Sequence, residues 1–75
     1  MKTKDIILGH EYSNGKSAAS EEIRRVMCIY NDTYRKKKYV DFKITYVNGE
    51  VGIIENLTFH ILLKSFARWA KEDVT

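Results

Sequence analysis

Two groups of residues in this chain could carry chemistry: one thiol with two imidazoles, and a run of four cations set between two tyrosines. The thiol is Cys28, the sole cysteine, and the imidazoles are His10 and His60. A cysteine nucleophile needs a base beside it to hold the thiolate, and both histidines are distant from Cys28 in sequence. Cys28 lies in the apolar stretch "VMCIY", which predicts a buried thiol of raised pKa rather than an activated one. His10 with Glu11, and His60 with Glu55, have metal-ligand character, but two ligands fall short of a closed four-ligand site. The four glycines are dispersed, so no glycine-rich phosphate loop is formed. These residues predict a protein that is not an enzyme and that carries no cofactor and no metal.

The cations are Arg35, Lys36, Lys37 and Lys38, flanked by Tyr34 and Tyr39, with Lys43 a few residues on. Charges of this kind neutralise phosphates, and the tyrosine rings between them can stack on unpaired bases. The competing reading is a solvated loop whose lysines keep a strand edge from pairing with a neighbouring molecule. Trp69, near the end of the chain, is the other residue suited to anchoring a partner, because a large aromatic at a rim buries much area at one point.

Composition bounds these readings. A chain of 75 residues makes one domain, residues 1–75, with a small core. One cysteine cannot form an internal disulfide, which fits a reducing setting. The net charge of +3 is mild for a dedicated DNA-binding domain. At 44% hydrophobic residues the chain is expected to fold, alone or with a partner. Ile6, Ile7 and Leu8 are too few for a secretory leader, and no stretch nears the roughly 18 apolar residues of a membrane span. A cytoplasmic protein without a membrane is expected.

The elements that must position the cations follow from hydrophobic period. "KDIILGHEY" predicts a first strand closed by Gly9. Residues 13–22, "SNGKSAASEE", predict a turn and a flexible loop. "EIRRVMCIYN" fits two templates. At period two, Ile23, Arg25, Met27 and Ile29 share one face, and Arg24, Val26, Cys28 and Tyr30 share the other. At period 3.6, Ile23, Val26, Met27 and Tyr30 form a helical stripe. The β-branched and aromatic content of "VMCIY" favours the strand.

From Tyr39 the alternation is regular: Val40, Phe42, Ile44 and Tyr46 against Asp41, Lys43 and Thr45. Asn48-Gly49 predicts a type I′ turn, with "EVGIIE" returning as the partner strand. "LTFHILLKSFARWAKED" predicts an amphipathic helix capped by Thr58, laying Phe59, Leu62, Phe66 and Trp69 over the sheet. The expected fold is α+β: three to four antiparallel strands, as an open sheet or an SH3-like barrel, packed by one C-terminal helix.

The segments "DIILGHEYSNG", "RRVMCIYND", "KKYVDFKITYVNG" and "LKSFARWAK" together resemble small phage- and prophage-encoded proteins that join a β-rich body to a terminal F-x-x-W-A helix. The resemblance spans most of the chain and transfers no site residue. It implies stoichiometric docking on a host macromolecule, for example inhibition of a host defence nuclease. The expectation is therefore a binding protein whose partner is a host protein in preference to a nucleic acid, with Tyr34, Arg35, Lys36, Lys37, Lys38, Tyr39, Lys43 and Trp69 at the interface. The alternatives are a direct nucleic-acid binder using residues 35–38 and an assembly protein that forms homo-oligomers, a homodimer included.

Overall fold

The computed structural model of the chain describes residues 1–51 and 56–75. In chain order these form a 3-10 turn (Thr3–Asp5), β1 (Glu11–Ser13), β2 (Glu22–Asp32), β3 (Lys37–Val47), β4 (Glu50–Val51), β5 (Phe59–Leu62), α1 (Leu63–Trp69) and β6 (Glu72–Asp73). The fold is α+β, with one antiparallel sheet ordered β4-β3-β2-β1-β6 and β5 added to β3. β2 pairs along all of β3, so β4 and β5 share the other edge of β3: β5 lies against Tyr39–Phe42 and β4 against Tyr46 and Val47. The sheet is open. Its β6 edge has only two residues, too short a ladder to close a barrel, so the barrel version of the expected fold is not adopted.

β2 and β3, eleven residues each, form the spine. At about 3.4 Å per residue each runs the length of the molecule, whose long dimension is 38 Å. The strand reading of residues 22–32 thus holds over the helical one. Asn48 and Gly49 take φ of 51° and 87° at the β3–β4 turn, as the type I′ reading requires. The rest of the expected return strand, residues 52–55, lies outside the described residues, as does Glu55.

Three expectations are corrected. Residues 4–12 are not one strand: the 3-10 turn comes first, Ile6 is buried, and pairing begins only at Glu11. Tyr12 explains this, because its hydroxyl accepts from the Ile7 amide at 2.8 Å and donates to the Asp5 carbonyl at 2.6 Å. A buried side chain thereby satisfies backbone groups that a strand would have paired. The C-terminal helix is also shorter than its apolar stripe. Phe59–Leu62 joins β3, with Phe59 stacked on Phe42 at 5.6 Å, and Thr58 caps nothing, since α1 begins at Leu63. Phe59 and Ile61 pack on the core at period two before Leu63, Phe66 and Ala67 do so at helical period. Finally, Cys28 is exposed rather than buried.

The cause of that last change is a pair of bulges in the β2–β3 ladder. Val26 pairs with Phe42, but the next residue of β3, Asp41, pairs with Cys28, so Met27 is an extra residue on β2. A one-residue insertion reverses the faces beyond it. Arg24 and Val26 therefore point to the core before the bulge, Ile29 does so after it, and Cys28 and Tyr30 turn to the opposite face. The second bulge, at Thr45, lies between the Ile23–Tyr46 and Arg24–Ile44 pairs.

The core sits between α1 and one sheet face. Phe66, fully buried, takes the Tyr12 ring edge-on at 5.8 Å and tilts against Phe42 at 5.5 Å. Arg24 spans the margin of this core: its guanidinium is 3.9 Å from the Trp69 ring centroid and 4.5 Å from that of Phe42, and it is ion-paired to Glu22. The N-terminal ammonium donates to the carbonyls of Ala67 and Ala70 at the helix end. Among the described residues, no helix is long and apolar enough to cross a membrane.

Candidate functional site

The β2–β3 hairpin turns at Thr33–Lys36, and Asp32 builds the turn. Its Oδ1 accepts from the Tyr34 and Arg35 amides at 3.0 and 3.1 Å, an Asx-type arrangement that fixes the chain reversal. Lys36 completes it in the left-handed region at φ 56°. The basic run therefore sits at a turn and at the first residues of β3, where a loop or strand start was expected.

The turn divides the run. Lys36, Lys37 and Lys38 line a groove of about 610 Å³ between the hairpin and α1, together with Thr3, Leu62, Leu63, Lys64, Ser65 and Arg68. Five cations thus meet around one concavity, and among the described residues no carboxylate lines it. Among the described residues none of the five is ion-paired. The side chains of Lys36, Lys37, Lys38, Lys64 and Arg68 are exposed, so their charges cost little desolvation, and their mutual repulsion is relieved by binding an anion.

Arg35 goes the other way. It donates from Nη1 to the Tyr39 hydroxyl at 3.2 Å, and this bond, with the Asp32 carboxylate nearby, raises its pKa further, so it stays charged. Tyr39 and Tyr30 form a cross-strand stack with centroids 5.9 Å apart and ring planes 17° apart. Tyr30, Asp32, Arg35, Tyr39 and His60 line a second, shallow cleft of about 220 Å³. Desolvation, then the Asp41 carboxylate, raises the Tyr30 pKa, so its hydroxyl keeps its proton at neutral pH.

The remaining predicted residues do not join these sites. Tyr34 stands at the apex, 94% exposed. Lys43 lies mid-strand opposite Arg25. Trp69 is half-buried beneath the Arg24 guanidinium and against Phe66, which leaves less of its ring for a partner. Lys64 and Arg68 stand exposed on the polar side of α1. Their spacing of four places them on one helix side, but the sequence does not say that this side would face Lys36–Lys38.

No protein-family model, curated protein or solved structure matches this chain.

Proposed function

We propose that the protein is a non-catalytic binding module and that its hairpin end docks onto the phosphodiester backbone of a nucleic acid. The observation that carries this reading is the groove: five cations from two separate parts of the chain around one concavity that, among the described residues, no carboxylate lines. A solvated loop accounts for Lys36–Lys38 alone, but not for Lys64 and Arg68 converging on them. Serine and threonine hydroxyls at Ser65 and Thr3 add neutral donors of the kind that contact phosphate oxygens.

A labelled oligonucleotide titrated across salt concentrations tests it. For a single strand the logarithm of affinity falls by about 0.7 per neutralised phosphate for each decade of salt, so five contacts give a slope near 3.5. Replacing Lys36, Lys37, Lys38 and Lys64 by alanine should reduce that slope by about 3. Unchanged affinity in the quadruple variant refutes the reading.

Docking on a host protein is the second reading, in line with the resemblance to phage-encoded chains. The 94% exposure of Tyr34 at the apex favours it, because a protruding tyrosine is a typical anchor for a pocket. There the same cations would meet an acidic surface and govern the association rate more than the affinity.

A further inference from the structure

Resting on that reading, we propose that the Tyr30–Tyr39 cleft stacks an unpaired nucleobase, so that the nucleic acid held by the groove is single-stranded. Lys38 lines the groove beside α1, whereas the next residue, Tyr39, lines the cleft with its cross-strand partner Tyr30. The two sites share the hairpin end, and a flexible strand leading its phosphates past Lys36–Lys38 brings its next base to Tyr39.

The cleft suits a base and not a second phosphate. Tyr30 and Tyr39 stand at it as a mutually stacked pair with His60 beside them, Tyr30 keeps 37% of its surface exposed, and Arg35 is held at the rim by the Tyr39 hydroxyl. Planar rings and a guanidinium are the groups on which bases stack without regard to sequence. Asp32 adds a carboxylate that repels phosphate but accepts from the amino groups of cytosine or guanine. Its Oδ1 is taken by two backbone amides, while Oδ2 lies 4.0 Å from Arg35.

The Met27 bulge supplies an independent reason. In an unbroken ladder Tyr30 would share the face of Arg24 and Val26 and enter the core. The insertion instead places it beside Tyr39. Bulges re-aim side chains at a cost in ladder pairing and occur next to functional sites for that reason. A duplex keeps its bases stacked in pairs and has none to offer this cleft.

Fluorescence anisotropy with three labelled probes of equal length tests the inference: an oligodeoxycytidine strand, an abasic strand and a duplex. The cytidine strand should bind about tenfold more tightly than the abasic strand, the size of a single base-on-aromatic stack. Tyr30→Leu, its fold checked by circular dichroism, should abolish that preference and leave the salt slope unchanged, whereas Tyr30→Phe should retain both. Equal affinity for cytidine and abasic strands overturns the stacking site while leaving the groove reading intact. A duplex bound as tightly as the single strand does the same. Failure of all three probes to bind removes the groove reading and this one with it. If in that case Tyr30→Leu also releases a nuclease-resistant protein partner, the cleft belongs to a protein.

Discussion

Replacing Lys36 by glycine should make the protein more stable and a poorer ligand binder. Lys36 has φ of 56°, a region that costs an L-residue about 1–2 kcal/mol and glycine nothing of the kind. Glycine gives back about 0.5–1 kcal/mol through its greater freedom when unfolded. The balance spans about 0–1.5 kcal/mol, with a central gain of about 0.7 kcal/mol. For a domain of this size that raises the midpoint of thermal unfolding by about 2–8 °C, measurable by circular dichroism. Lys36→Ala is the control, because it removes the charge and keeps the strain. Both variants should lower the salt slope of oligonucleotide binding by about 0.7. Among the described residues, the other left-handed positions are Asn48 and the glycines 9, 15 and 49, residues that tolerate this conformation. Lysine at 36 is the exception, and on the proposed function its charge at the groove is the reason for it. Stability no higher in the glycine variant than in the alanine variant would refute the strain argument. Unchanged binding in both would refute its functional half.

Arg24→Leu removes the cation–π contacts to Trp69 and Phe42 and leaves Glu22 without its partner. A loss of about 1–2 kcal/mol is expected, with a red shift in emission from Trp69, the single tryptophan; denaturant unfolding followed by that emission would expose an unchanged midpoint. Asp73 makes stability pH-dependent. A hydrogen bond from the Thr75 hydroxyl first, then His10, lowers its pKa from 3.8 to about 2. A carboxyl depressed by folding contributes stability that is complete above its unfolded value, near 3.9, and is lost as pH falls through about 2. Wild type should thus lose stability between about pH 4 and 2 more steeply than Asp73→Asn, and parallel curves across that window would contradict the assignment.

β3 and its turn into β4 were legible because they depend on local rules: alternation in Val40–Tyr46 and two residues tolerant of positive φ at Asn48-Gly49. What was not legible depends on partners distant in sequence. The stripe Phe59, Leu62, Phe66, Trp69 satisfies a helix, yet Phe59 is claimed by Phe42 and its segment by the free edge of β3. Likewise, the apolar run in "KDIILGHEY" is long enough for a short strand, but the Tyr12 hydroxyl captures backbone groups of Asp5 and Ile7. In β2 a period-two reading is correct up to Val26 and inverted after it, because no residue type announces the Met27 bulge. The same inversion parts Tyr30 from Arg24 and Val26, with which period two groups it, and puts it beside Tyr39. The basic run could be located from sequence, but its division between two faces, and its convergence with Lys64 and Arg68, required the register.

The long spine also sorts charge, and this separates local recognition from general attraction. Lys36–Lys38, Lys64 and Arg68 surround the hairpin end, whereas Glu21, Glu22 and Glu50 lie at the opposite end, where β2 starts and β3 turns into β4. The molecule is 38 Å long, about five Debye lengths at physiological salt. An approaching polyanion therefore responds to the end it meets rather than to the formal net charge of +3. Reversing Glu21 and Glu50 to lysine more than doubles that net charge, yet affinity at physiological salt should change by less than about twofold, because the added cations are screened from the groove. Lys37→Glu alters net charge by half as much and in the other direction, but should weaken binding about tenfold or more by placing a carboxylate inside the cation ring. Affinity that tracked net charge across these variants would mean that attraction is diffuse and that the groove has no special claim to the ligand.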